Sequence, residues 1–554
     1  MLHRLISIML LIAMWAGPFL PVSAQNERTP LTPPTDAIQV QELASLNPNE
    51  IGLLDEQHGG LGLTLWADSS LGLVSKALPL LPNQPSWRSL RALELRLLES
   101  AANMPAGKAS AEQLIALRAG KLASMGATET TLALLKMVPN PSMTPILRRL
   151  QIDSALLSGD LATACAQEPA FRVAQSNDNY ATELQVLCQY QAGKGAEAAL
   201  GIDLLRDQKL HDPLFLAAAD MVGGLPPAKL DRISDASPVA MALANFAKFP
   251  LPDAAVSTSP AGYLATLAQA PGASPETRLM AAERAVALGV NGPEPLRRTI
   301  EAVAFTPAEL ATAANETGKT AKSRALLYKA AFEQALPSGR AELIQRGLAA
   351  GPATAPWLYG AMLASLPATP EMAGFAPWAV RALLMTGQAE AARPWLGLLR
   401  ADALLNGPSA MTLATLRPLA RLAGLGDALT AGDLAAWRQA RNESAGDSAK
   451  HGLLLLTLLT ALGDTPPEND WVGLLDGAPL ITGKISRSAL TTGLLSASAG
   501  HRRGETVLYG LLSLGDQRDV EPGEFAAIII ALRAVGLEAD ARAFAVELAL
   551  AYGI

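Results

Sequence analysis

Apolar residues come in helix-length runs along this sequence, and one small signature recurs between the runs. A glycine ends a run, a small or short residue follows five positions later, and an apolar residue sits at nine or twelve. The signature is carried by Gly126 (Thr131, Leu135, Val138), Gly159 (Ala164, Phe171) and Gly193 (Ala198, Ile202, Leu205). It returns at Gly318 (Ser323, Leu327, Ala330), Gly387 (Ala392, Leu396, Leu399) and Gly536 (Ala541, Ala545, Leu548). The first three glycines are 33 and 34 residues apart, and Gly318 and Gly387 are 69 apart, about twice that period. A hairpin of this length cannot bury its apolar face alone, so the period predicts an all-α stack of helix pairs.

Several helices have readable ends. Ser274 and Pro275 form an N-cap and first turn, with Gly289 as the stop. Thr306-Pro307-Ala308-Glu309 is a capping box, and Gly318 is expected to end the helix it opens. His451 to Leu462 is almost wholly apolar at the length of a buried helix. Residues Gly59 to Trp66 predict a turn, and Pro79, Pro82 and Pro85 predict breaks before a series of helices from Trp87. Prolines chop 223–272 into short pieces, a bend or boundary between a helical half at 51–222 and another at 273–554. Residues 25–50 form a Pro-rich extended arm.

These features resemble the tetratricopeptide-like repeat family. Ala198, Ala392 and Ala541 stand where that family places a small residue to let paired helices approach, and Gly193, Gly387 and Gly536 stand at its inter-helix turn. Trp378 to Arg400, with Gly387-Gln388-Ala389-Glu390-Ala391-Ala392, is the best single match. The closing proline is often absent and the period slips between Gly193 and Gly318 and between Gly387 and Gly536. The resemblance implies a right-handed superhelix of stacked antiparallel helix pairs, an α-solenoid that binds partner segments along a concave face.

Arg4, the apolar stretch Leu5 to Trp15 and Val22-Ser23-Ala24 read as a secretory signal over residues 1–24. Gln25, not Cys, follows the cleavage point, so no lipid anchor is expected, and the destination is the periplasm or the exterior. Removing Arg4 leaves 43 basic against 51 acidic residues (44 less one), a net charge of −8. The charges are interspersed, which argues against nucleic acid and anionic lipid as partners. The midpoint between Cys165 and Cys188 falls inside the polar turn at 175–179, so antiparallel helices joined there bring them level; the expectation is a disulfide between adjacent repeats, the alternative two separately buried thiols.

Catalytic signatures are missing from the sequence. His58, His211, His451 and His501 are far apart and form no zinc-protease motif, and no nucleophile elbow occurs. Thr317-Gly318-Lys319-Thr320 has the tail of a phosphate-binding loop without its leading glycine, and is read as the end of a helix. The expectation is therefore no catalytic residue, no metal and no cofactor. The general shape also resembles the superhelical part of soluble lytic transglycosylases, but the helical pattern runs to Ala551 and leaves no room for their catalytic domain.

Tryptophans cluster late in the sequence, at Trp357, Trp378, Trp395, Trp437 and Trp471. Trp357, Trp378, Trp395 and Trp437, with Arg393 and Arg400, are the candidate contacts for a partner, against the plainer reading of packing between helices and solvated charge. The expected function is a non-enzymatic periplasmic scaffold that holds a protein of the cell envelope. The alternatives are a peptidoglycan- or glycan-binding module with at most weak hydrolysis, and a chaperone-like binder of envelope clients.

Overall fold

Glycines in left-handed backbone conformation divide the chain into helices. At Gly126, Gly159, Gly193, Gly387 and Gly536 φ lies between 73° and 81°, a region that residues with a Cβ rarely adopt. Each such glycine closes a helix in the same way. In the pair around Gly387, its N–H reaches Leu384 O at 3.1 Å and the Gln388 N–H reaches back to Leu383 O at 2.8 Å. Two orphan carbonyls are thereby satisfied and the chain reverses within about three residues. The small residue five positions on is then pressed into the neighbouring helix: Thr131, Ala164, Ala198, Ala392 and Ala541 are all fully buried.

The computed structural model describes residues 50–554 apart from 109, 176–177, 210–211, 234–235, 352–353, 468, 472–487 and 519. The signal over 1–24 and all but the last residue of the 25–50 arm lie outside the described residues. The described part is all-helical, with no strand beyond two isolated bridges, and belongs to one compact unit. Neighbouring helices pack in antiparallel pairs, among them Asn179–Gln191 with Gly195–Asp207 and Ala376–Met385 with Ala389–Ala403. This is the repeating arrangement of an α-solenoid.

Local signals hold at several ends. Ser274 caps helix Pro275–Ala287, and Thr306 and Glu309 form the expected reciprocal capping box. The apolar run from His451 lies within helix Ala445–Ala461. Three expectations are corrected. The turn at Gly59 to Trp66 leads into a first α-helix, Leu71–Leu80, and Pro79, expected at a break, lies inside the last turn of that helix, where it gives up a backbone N–H. The helix opened by Thr306 ends at Thr312 and passes into a 3-10 turn at Ala313–Asn315, so Gly318 belongs to the following link. Ser323 is consequently not a packing residue: its hydroxyl accepts the Thr320 N–H at 3.1 Å and caps helix Ala321–Glu333.

The Pro-rich stretch folds into short helices, including Pro238–Ala247, Ala254–Thr258 and Leu264–Gln269. Helix Pro238–Ala247 packs on Pro145–Leu157 and Asn179–Gln191, burying Val239, Leu243 and Ala244.

The two ends of the described part also meet. Helix Arg88–Glu99 packs against Arg503–Leu514 and against the last helix, Glu538–Ala551, as well as against its sequence neighbour Ala111–Ser124. Trp87 is surrounded by Phe525, Phe544 and Tyr552 with ring centroids 5.8, 6.0 and 6.4 Å away. Arg96 pairs with Asp540 at 2.6 Å. The predicted turn at Gly59 to Trp66 is part of the same seam: Arg503 Nη1 donates to Leu61 O at 2.8 Å, and the Gly504 N–H donates to Leu65 O at 3.0 Å.

Candidate functional site

The spacing argument for the cysteines holds. Cys165 on helix Leu161–Ala174 and Cys188 on helix Asn179–Gln191 form a disulfide with their Cα atoms 5.5 Å apart.

The candidate partner contacts do not share one environment. Trp395 and Trp437 are each 1% exposed, so both are packing residues and neither can touch a partner in this structure. Trp395 meets Phe375 edge to face at 5.4 Å. Its position explains this: it lies three residues after Ala392 and four before Leu399, on the buried stripe of helix Ala389–Ala403. Trp357 is half-buried, with the Arg88 guanidinium 4.2 Å from its ring centroid. Trp378 is 38% exposed, off the stripe of Ala379, Val380 and Leu383. Arg393 is exposed and held by Glu390 at 2.6 Å, while Arg400 is exposed with no ion pair among the described residues.

The sequence reading missed exposed apolar side chains beside these. Leu404, Leu405 and Met411 stand out in the link from helix Ala389–Ala403 and the start of helix Gly407–Leu422, with Leu405 95% exposed. The signal was two leucines in a short inter-helix link, where no helical stripe claims them.

Buried charges are numerous and serve backbone carbonyls. Arg118 donates to Leu98 O, Ile51 O and Ser100 O at 2.8, 2.6 and 2.9 Å. Arg91 donates to Gly289 O at 2.8 Å and Met125 O at 2.7 Å, and Lys121 reaches Asn83 Oδ1 at 2.7 Å. Glu94 lies fully buried near Arg91 and Lys121, and burial pushes its carboxyl well above the usual carboxylate range. Two further clusters lie within electrostatic reach of each other: Asp153 with Tyr180 and Arg149, and Ser237 bonded to both Glu183 and Asp212. Burial, and then the Asp212 charge, raise Glu183 to about 7. Glu183 and Asp212 are nonetheless shut away from solvent, and Asp212 is occupied in capping helix Pro213–Val222. Neither is open to a substrate.

The residues Thr317 to Thr320 do not end a helix as expected; they lead into helix Ala321–Glu333. The amides that a phosphate would use there are taken by a protein carboxylate. Glu276 accepts the Ala321 and Lys322 N–H groups at 2.9 and 3.0 Å. Among the described residues no group of His, Cys, Asp and Glu side chains could hold a metal ion, and no helix is long and apolar enough to cross a membrane. His211 lies outside the described residues.

A cleft of about 280 Å³ opens between helices Leu264–Gln269, Pro275–Ala287 and Glu294–Glu301. Its walls include Ala268, Pro295 and Val303 together with Gln269, Thr299, Arg278 and Arg298. No family model matches the sequence, and comparison with characterised proteins and solved structures finds no similar one.

Proposed function

We propose that this protein is a non-enzymatic periplasmic scaffold that binds a protein of the cell envelope through its helical-repeat surface. The observation that carries the reading is the set of exposed side chains Trp378, Arg400, Leu404, Leu405 and Met411, carried on three successively packed helices and on the link between the last two. Large apolar side chains left open beside an unpaired guanidinium suit a partner segment with apolar and acidic side chains. The Cys165–Cys188 disulfide supports an oxidising compartment. Stacked helix pairs supply a broad and rigid support for such contacts.

The test places a photo-crosslinking amino acid at Leu405 in the full-length protein and identifies what it captures in intact cells. Support is one protein whose purified form binds the wild type and binds Arg400→Glu and Trp378→Ala at least about tenfold more weakly. Recovery of cell-wall glycan without a stoichiometric protein overturns the scaffold reading and favours glycan binding. Capture of many unfolded clients with no loss in the two variants favours a chaperone-like role instead.

A further inference from the structure

We infer that the cleft between helices Leu264–Gln269, Pro275–Ala287 and Glu294–Glu301 binds a small aliphatic carboxylate through Arg278 and Arg298. The inference is independent of the partner surface, which lies on other helices.

Arginines in this part of the protein are generally engaged. Arg297 pairs with Glu294 at 3.0 Å, and Arg324 holds Glu283. Arg284 donates to Val256 O. Arg278 and Arg298 differ: neither guanidinium has a side-chain or carbonyl partner among the described residues, although Arg278 is half-buried. A guanidinium carries five donors in a rigid fork, so two unpaired ones lining one cleft, Arg278 half-buried and Arg298 exposed, offer free donors to an oxyanion.

The nearby carboxylates do not fill it. Glu276 is committed to the Ala321 and Lys322 amides. Glu283 is committed to Arg324, and Glu294 to Arg297. Glu301, one turn beyond Arg298, is exposed and forms no ion pair with it. Lys329 adds positive charge behind the wall, its Nζ 3.4 Å from the Val303 carbonyl oxygen.

Apart from the polar side chains of Gln269 and Thr299, the rest of the lining selects the ligand's body. Ala268, Pro275, Pro295, Ala302 and Val303 are small apolar groups, which favour a short aliphatic body over a sugar or a bare inorganic anion. The volume, about 280 Å³, suits a single amino-acid-sized molecule. An acylated aliphatic amino acid and the C-terminal residue of a peptide share this chemistry: a carboxylate beside a short apolar side chain.

The experiment titrates the full-length protein with N-acetyl-leucine, its uncharged amide, inorganic phosphate and the peptide acetyl-Ala-Ala-Leu, reading binding by ligand-detected NMR. Arg278→Gln and Arg298→Gln are measured alongside, with unfolding temperature as the control for folding. Neither substitution removes a hydrogen bond or ion pair of the guanidinium within the described residues, so both variants are expected to fold. The expected result is saturable binding of the acid, at least about tenfold weaker for the amide and for either variant. A peptide that binds tighter than N-acetyl-leucine identifies the carboxyl end of a polypeptide as the source; equal binding identifies the free small molecule. The inference is overturned if the amide binds as well as the acid, if the variants bind like wild type, or if phosphate binds as tightly as the acid. Absence of saturable binding up to about 20 mM also overturns it.

Discussion

The Glu547 carboxylate caps the helix that begins at Arg88, 459 residues before it in sequence: its Oε1 accepts the Arg88 N–H at 2.6 Å. Its Oε2 accepts the Ser89 N–H at 2.8 Å and the Ser89 hydroxyl at 2.6 Å. Trp87, at the N-cap position, has no group that could do this for its own helix. A carboxylate there also meets the positive end of the helix dipole. Glu547→Ala is expected to cost about 1–2 kcal/mol of stability, with Glu547→Gln recovering part of it. Urea unfolding gives the cost, and hydrogen exchange localises it: the Leu90 to Leu93 amides exchange faster in the alanine variant. Unchanged exchange there would refute the role of the cap.

Gly504 fixes the other side of the same seam. A Cβ at this position would lie 2.5 Å from the Trp66 ring and 2.7 Å from Leu65 O. Trp66 is itself buried and the carbonyl is backbone, so neither yields cheaply. Gly504→Ala is expected to destabilise by about 1–3 kcal/mol, and Gly504→Val by more. A thermal scan of the two variants checks the order.

Removal of the disulfide tests the link between neighbouring repeats. The bond closes a loop with a sequence separation of 23 residues. Loop-closure entropy assigns such a bond about 3 kcal/mol. Cys165→Ser with Cys188→Ser, or reduction of the wild type, is expected to lower the unfolding temperature. Added reductant should then leave the double variant unaffected.

Glu183 gives a pH dependence with a defined sign. Its carboxyl is raised from 4.5 to about 7 in the folded protein, first by burial and then by Asp212. Between those values the folded state holds a proton that the unfolded state has released. Stability from this group is therefore full below about 4.5, falls as pH rises towards 7, and is level above. Glu183→Gln removes that fall, so the variant is expected to gain on wild type by up to about 3 kcal/mol between pH 4.5 and 8. Asp153 is raised by burial as well, but it is common to both proteins and cancels in the comparison. Parallel curves of unfolding temperature against pH for the two proteins would contradict the assignment.

What could be read in the sequence was what local backbone chemistry determines. Gly387 needs a left-handed conformation and Ala392 a close neighbour, and both requirements show as residue types at fixed spacing. The cysteines were readable because helix geometry makes positions equidistant from a turn level with each other. The seam was not, because no local period reports a contact between Trp87 and Phe544. Arg91, Glu94 and Arg118 look like the polar face of ordinary helices, yet all three are buried; Arg91 reaches Met125 O and Gly289 O, and Arg118 reaches Ile51 O, partners that no local period reports. The candidate site divides in the same way. The burial of Trp395 follows from its place on the Ala392–Leu399 stripe, whereas the pairing state of Arg278 and Arg298 depends on which carboxylates fold elsewhere.

A ribosome makes this protein from its amino end, and helix Arg88–Glu99 is among the first parts to emerge. Its capping carboxylate, its salt-bridge partner Asp540 and the rings that enclose Trp87 are among the last. Almost the entire polypeptide must be synthesised before the first repeats can be completed, and until then their apolar face stays without a lid. A message cut short near its end would thus do its damage at the beginning of the protein.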